Sequence, residues 1–188
     1  MPVLDLNKGW RAYDEAQKAT DNPRHKAILE TMKDHIKWEV LGHPEKVLET
    51  VADGGSYHFY GLGDYIELPD YESIKGFYQS MVDNGTNVLQ LDIDHLAVGD
   101  WGIAAHGTWH QAFPMADLPE KLPDGFVPDD PDARYLVSSR LAWFFPFTEE
   151  EVPKLVSEIV YFDPIPTAVR KLGADEVLYE TLDEAVFA

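Results

Sequence analysis

At Gly85 the hydrophobic period of the chain changes. Upstream, apolar residues recur every third or fourth position, the spacing of one helix face. From Arg24, Ile28, Met32, His35 and Glu39 form one row, and Leu29, Met32, Ile36 and Val40 the adjacent one. Gly42 is placed to end that helix and Pro44 to open a second, carrying Val47, Leu48, Val51 and Ala52 and stopped by Gly54-Gly55. Ser56–Tyr60 reads as a short aromatic strand. Asp70 is the N-cap of a third helix with Ile74, Phe77, Tyr78, Met81 and Val82 on one side. Downstream of Gly85, Val88–Ala97, Trp101–Phe113, Arg134–Phe147 and Lys154–Phe162 alternate in character and are rich in β-branched and aromatic residues, with a turn at Gly99-Asp100. Long consecutive strands with no helices between them imply an α+β chain with a strongly bent antiparallel sheet packed against three helices, not a doubly wound one.

The organisation expected is an N-terminal arm over 1–23, one domain over 24–172 and an acidic tail over 173–188. Residues 114–133 hold five prolines, six acids and one lysine, and read as a long flap-like loop. A final short helix is expected over Thr167–Leu172, after Pro164 and Pro166. With 188 residues there is no room for two full-sized domains, and 5 Trp, 9 Tyr and 9 Phe suffice for a sizeable core. A net charge of −19 repels phosphate backbones and anionic lipid, so neither nucleic acid nor membrane is an expected partner. The absence of Cys excludes disulfides and thiolate catalysis. No apolar run is long enough to span a membrane, and the first residues lack a signal peptide's pattern; a cytoplasmic location is expected.

The element order resembles that of the nuclear-transport-factor-2-like superfamily. The resemblance rests on Ser157–Asp163 (SEIVYFD) with Thr167–Gly173 (TAVRKLG), on Val47–Tyr57 and on Val98–His110. It covers roughly residues 24–172 and implies a cone whose curled sheet and helices enclose an apolar pocket. The superfamily includes SnoaL-type polyketide cyclases, ketosteroid isomerases, scytalone dehydratases, limonene epoxide hydrolases and lyases of lignin-derived diaryl compounds. The resemblance therefore implies a cofactor-free lyase, dehydratase, isomerase or cyclase, expected here as a homodimer acting on a small hydrophobic, aromatic substrate. The alternative it leaves open is a non-catalytic binding or assembly module.

Several residues are candidates for moving the proton. By resemblance, His35 falls where ketosteroid isomerases carry a helix-borne tyrosine that donates to an enolate oxygen. Tyr57 matches a tyrosine that holds water in limonene epoxide hydrolases, and the isomerases' general-base position falls on Phe59, which cannot move a proton. The Arg-x-Asp stretch of the epoxide hydrolases falls on Gly107-Thr108-Trp109 and their second Asp on Val160, so that mechanism is not expected. His58 can serve in a shifted register. On the Trp101–Phe113 strand, Ile103, Ala105, Gly107 and Trp109 share one face and His106, Thr108 and His110 the other. The preferred orientation turns the apolar face inward; the opposite one makes His106 catalytic. Glu158, if its face is inward, is desolvated into a usable base, and Arg140 can pair with it. Asp163 can cap the final helix. The candidate substrate-binding residues are Trp38, Tyr60, Tyr78, Trp109, Arg140 and Trp143. Neither a cofactor nor a metal is expected: His106 and His110 stand too far apart on a strand for zinc, and the chain holds no phosphate-cradling glycine motif.

Overall fold

Asn22 opens the longest helix, accepting from the backbone N–H of Arg24 (2.9 Å) and His25 (3.4 Å), with Pro23 in the first turn. In the computed structural model, which describes residues 2–61 and 65–179, this helix follows an earlier one. The elements are α1 (Lys8–Ala19), α2 (Pro23–Leu41), α3 (Pro44–Glu49), β1 (Val51–Tyr60), β2 (Ile66–Leu68), α4 (Tyr71–Asp83), β3 (Leu89–Gly99), β4 (Gly102–Pro114), β5 (Arg134–Pro146), β6 (Leu155–Phe162) and β7 (Ala168–Lys171). Gly42 ends α2 at φ 72°, and Asp70 closes a capping box with Ser73 at the start of α4, both as the sequence predicts.

Three expectations need correction. Residues 8–19 are not an arm: they form α1, whose Tyr13 is fully buried against the core. A Cβ on Gly9 would lie 3.2 Å from Ile36 Cγ2, so α1 packs closely on α2. The second helix ends at Glu49, and Val51 and Ala52 belong to β1. Gly54 and Gly55 lie where the β1–β6 pairing shifts register; a Cβ on Gly55 would sit 2.7 Å from Val51 Cγ1, a clash only glycine avoids. Finally, Thr167–Leu172 contains no helix. Strand β7 there pairs with β5 over 135–138, directly beyond the stretch of β5 (141–144) that pairs with β6. Pro164 and Pro166 interrupt one ladder instead of starting a helix, and Asp163 caps nothing: its N–H donates to Arg140 O.

The sheet runs β2-β1-β6-β5-β4-β3, bent and unclosed, with β7 beside β5. Every pair is antiparallel except β1 with β6, which is parallel. Its concave face carries Tyr57, Ile103, Leu141, Trp143 and Val160, which pack on Ile28, Met32, Ile36 and Ile74 of the helices. Each such large buried side chain stabilises by about 1.5–3 kcal/mol. The 114–133 loop is pinned at its end by the Tyr135 hydroxyl, which accepts from Asp129 and Asp130 N–H at 3.1 and 3.0 Å. Of the expected acidic tail, residues 177 and 178 bond to Val3 and Leu4, and residues 180–188 lie outside the described residues.

Candidate active site

Strand alternation decides what reaches the concave face. On β1, Tyr57 and Phe59 point inward and His58 and Tyr60 outward; on β6, Glu158, Val160 and Phe162 point inward. On α2, His35 and Glu39 are four residues apart and so share the face turned to the sheet. Together these elements build a buried polar cluster inside an aromatic wall.

At its centre, His35 Nε2 lies 2.9 Å from Glu158 Oε1 and 2.9 Å from the Tyr78 hydroxyl. His35 is only 1% exposed. Its Nδ1 lies 2.7 Å from Thr50 Oγ1, and that hydroxyl already donates to Val47 O at 2.5 Å. The threonine oxygen therefore accepts, and Nδ1 carries a hydrogen. A bare Nε2 lone pair and a carboxylate oxygen would repel at 2.9 Å, so a proton lies between them. The pair is either imidazolium with carboxylate or imidazole with carboxylic acid. Tyr78 reaches Glu158 Oε1 and the Tyr57 hydroxyl, each at 3.3 Å. Burial, then the nearby Glu158 charge, holds the Tyr57 and Tyr78 hydroxyls well above the usual phenol range, so both remain protonated donors.

Of two neighbouring cavities, the inner one borders this cluster at Glu158. The outer one, about 260 Å³, is apolar, with Met81, Phe113, Val137 and Phe162 among its walls and Pro119 of the long loop at its side. Gln111 there donates to Thr86 O and accepts from Trp109 Nε1 at 3.0 Å. The inner chamber, about 30 Å³, has room for roughly two waters and is bordered by Glu39, Glu158 and Tyr13. Phe59, Phe77 and Trp109 line both, so their rings stand between the two. Glu39 is 7% exposed, and among the described residues its carboxyl has no donor or cation. Burial first, and then repulsion from Glu158, pushes its pKa well above the usual carboxylate range.

Of the sequence candidates, His35, Tyr57, Tyr78 and Glu158 come together in one network. Trp109 and Trp143 line the inner chamber. The others lie elsewhere. His58 faces outward, 2.5 Å from the Tyr65 hydroxyl and 3.0 Å from Ser56 Oγ, and Tyr60 stacks on Tyr65 and Tyr161 on the same outer face. His106 is exposed on the outside of β4, because the apolar side of that strand takes the concave face. Arg140 pairs there with Asp94 at 2.7 Å and with His106, not with Glu158. Trp38 is in neither of these two cavity walls and sits beneath Lys46 Nζ, 3.7 Å from its ring centre. Sequence reasoning missed Glu39, whose place four residues after His35 in an apolar row was the available signal, and Tyr13, whose spacing with Trp10 and Ala16 was a weak one; it also missed Thr50, for which no local pattern existed. Among the described residues, no group of three or more His, Asp and Glu side chains is placed to hold a metal, and no helix is long and apolar enough to cross a membrane.

No protein-family model matches the sequence, and no curated protein does. Solved structures match in shape. One is a candidate SnoaL-like polyketide cyclase from Shewanella denitrificans OS-217, 14% identical, covering 71% of this chain and 88% of its own, with a TM-score of 0.52. A second candidate SnoaL-like polyketide cyclase, from Jannaschia sp. CCS1, is 14% identical over 75% of this chain and 85% of its own, with a TM-score of 0.50. A candidate aromatic ring hydroxylase from Novosphingobium aromaticivorans is 12% identical over 78% and 91%, with a TM-score of 0.52. The chain thus has the nuclear-transport-factor-2-like fold. At these identities the likeness speaks for the fold alone.

Proposed function

We propose that this protein is a cofactor-independent enzyme that moves a proton on a small aromatic carbonyl compound, an isomerase or cyclase by reaction class. One observation carries the reading: His35 Nε2 and Glu158 Oε1 lie 2.9 Å apart beside a small chamber that shares the rings of Phe59, Phe77 and Trp109 with an apolar cavity. In this reading those rings act as an aromatic neck that a substrate oxygen passes. The aromatic body of the substrate occupies the outer cavity and its oxygen enters the inner chamber. Glu158, held in place by His35, accepts the proton from the carbon beside the carbonyl. The C–H electron pair becomes the enol double bond, and the carbonyl oxygen takes the proton that burial keeps on Glu39. The names of the two candidate cyclases fall in this reaction class and add only that the fold accommodates it.

A second reading, a non-catalytic small-molecule-binding module, draws on the fact that both His35 nitrogens already have protein partners. Deuterium exchange at the α-carbon of 2-tetralone in D₂O, followed by NMR, separates the two. The enzyme reading predicts exchange well above buffer that falls by about 10²–10⁴-fold in Glu158→Gln. Binding of 2-tetralone with exchange no faster than buffer selects the module.

We also propose that two copies pair through the outer sheet face. Tyr161 there stacks on Tyr60 at 4.7 Å and meets Phe144 edge-on at 6.2 Å, and both Tyr161 and Phe144 are exposed. These rings form an aromatic patch across β1, β6 and β5 that helices leave uncovered.

A further inference from the structure

The sequence of α1 is mostly polar, yet one of its residues reaches the innermost part of the site. Tyr13 is fully buried and borders the same small chamber as Glu39 and Glu158. Its oxygen accepts from Trp143 Nε1 at 3.2 Å, while among the described residues nothing accepts its own hydrogen. A buried hydroxyl whose hydrogen goes undonated is costly and calls for a partner.

We infer that the Tyr13 hydroxyl donates a hydrogen bond to the substrate's carbonyl oxygen in the inner chamber, so that the N-terminal helix completes the site. The inference rests on the proposed function, since it needs an oxygen in that chamber. Three features support it. The Trp143 N–H polarises the Tyr13 oxygen, which strengthens its hydrogen as a donor. Burial raises the phenol above its ordinary range, more than the Trp143 hydrogen bond lowers it, and the nearby Glu158 carboxylate adds to the rise, so it remains an O–H at neutral pH. Its position is also fixed in advance of binding: Trp143 is buried, and α1 is clamped where Gly9 meets Ile36 and where Leu4 and Leu6 enter a second small core. A donor held rigidly in a dry chamber is the arrangement that stabilises charge developing on oxygen. It also defines the substrate head. The chamber offers a hydroxyl donor beside two carboxyl groups, which accepts a neutral ketone or aldehyde and repels a carboxylate or phosphate.

The test uses 2-acetonaphthone and its oxygen-free counterpart 2-isopropylnaphthalene, with the full-length protein and its Tyr13→Phe variant. Affinities are read by titration calorimetry, and the infrared stretch of the bound ketone carbonyl reports donation to its oxygen. In the wild type the stretch lies below its value in hexane. In Tyr13→Phe it moves part of the way back, the ketone binds about five- to tenfold more weakly, and the hydrocarbon binds unchanged. Should Tyr13→Phe not fold, Trp143→Phe decides, with a smaller move in the same direction. An unchanged stretch and unchanged ketone-to-hydrocarbon ratio overturn the Tyr13 inference while leaving the proposed function standing. If neither ligand binds the wild type, the proposed function fails, and the inference fails with it.

Discussion

His35 on α2 and Glu158 on β6 are 123 positions apart in sequence, yet their Nε2 and Oε1 atoms lie 2.9 Å apart in a site almost closed to water. Removing one partner of such a buried pair leaves the other unpaired, at a cost of about 3–5 kcal/mol, whereas removing both costs much less. Urea denaturation of His35→Ala, Glu158→Gln and the double variant should therefore give a coupling of at least about 1 kcal/mol. Additive losses would show that no proton is shared.

Glu39 has the opposite effect on stability. Its folded pKa is raised, so between about pH 4.5 and that raised value the unfolded chain ionises while the native one stays protonated, and stability falls as pH rises. Below pH 4.5 both states are protonated and the effect vanishes. Glu39→Gln, which keeps the shape and removes the titration, should melt several degrees above wild type at pH 7.5 and close to it at pH 4. Thermal melts by circular dichroism across that range check the sign.

The aromatic neck makes a prediction about affinity. Phe77 on α4 lies 5.5 Å from the ring of Phe59 and lines both cavities. Phe77→Ala should weaken binding of 2-acetonaphthone about tenfold through lost ring contact and buried area, with folding retained because the side chain is only half-buried. Calorimetric titration of the variant reads this directly.

The outer face makes a prediction about assembly. A carboxylate at the centre of a paired aromatic patch is desolvated without a partner, so Phe144→Glu or Tyr161→Glu should convert a dimer into a monomer of 21.3 kDa. Sedimentation equilibrium distinguishes the two, and a wild-type monomer refutes the pairing.

Much of this architecture was legible where one local rule acted alone. The helical row through His35, the Asp70 cap and the inward turn of Trp109 all follow from spacing within one element. Most of what was missed depended on partners distant in the chain. Helix α1 is polar in composition but amphipathic: Trp10, Tyr13 and Ala16 follow one another at helical spacing and pack on the core, a short pattern that is easily passed over among so many polar residues. The TAVRKLG segment has no intrinsic bar to helix, but the open edge of β5 beyond β6 takes it as a strand. The outward placement of His58, His106 and Arg140 was decided by which strand faces the helices covered. Glu39 was visible in a row but not as chemistry, because its significance comes from Glu158 across the chamber.

The most direct test of the central claim is a crystal structure of the protein with 2-acetonaphthone bound. The account predicts the naphthalene rings in the outer cavity against Phe59, Phe77 and Trp109, with the ketone oxygen through the neck and within hydrogen-bonding distance of Glu39 beside Glu158. A ketone turned the other way, its oxygen on Gln111 or Ser139 and its methyl group short of the inner chamber, would contradict it.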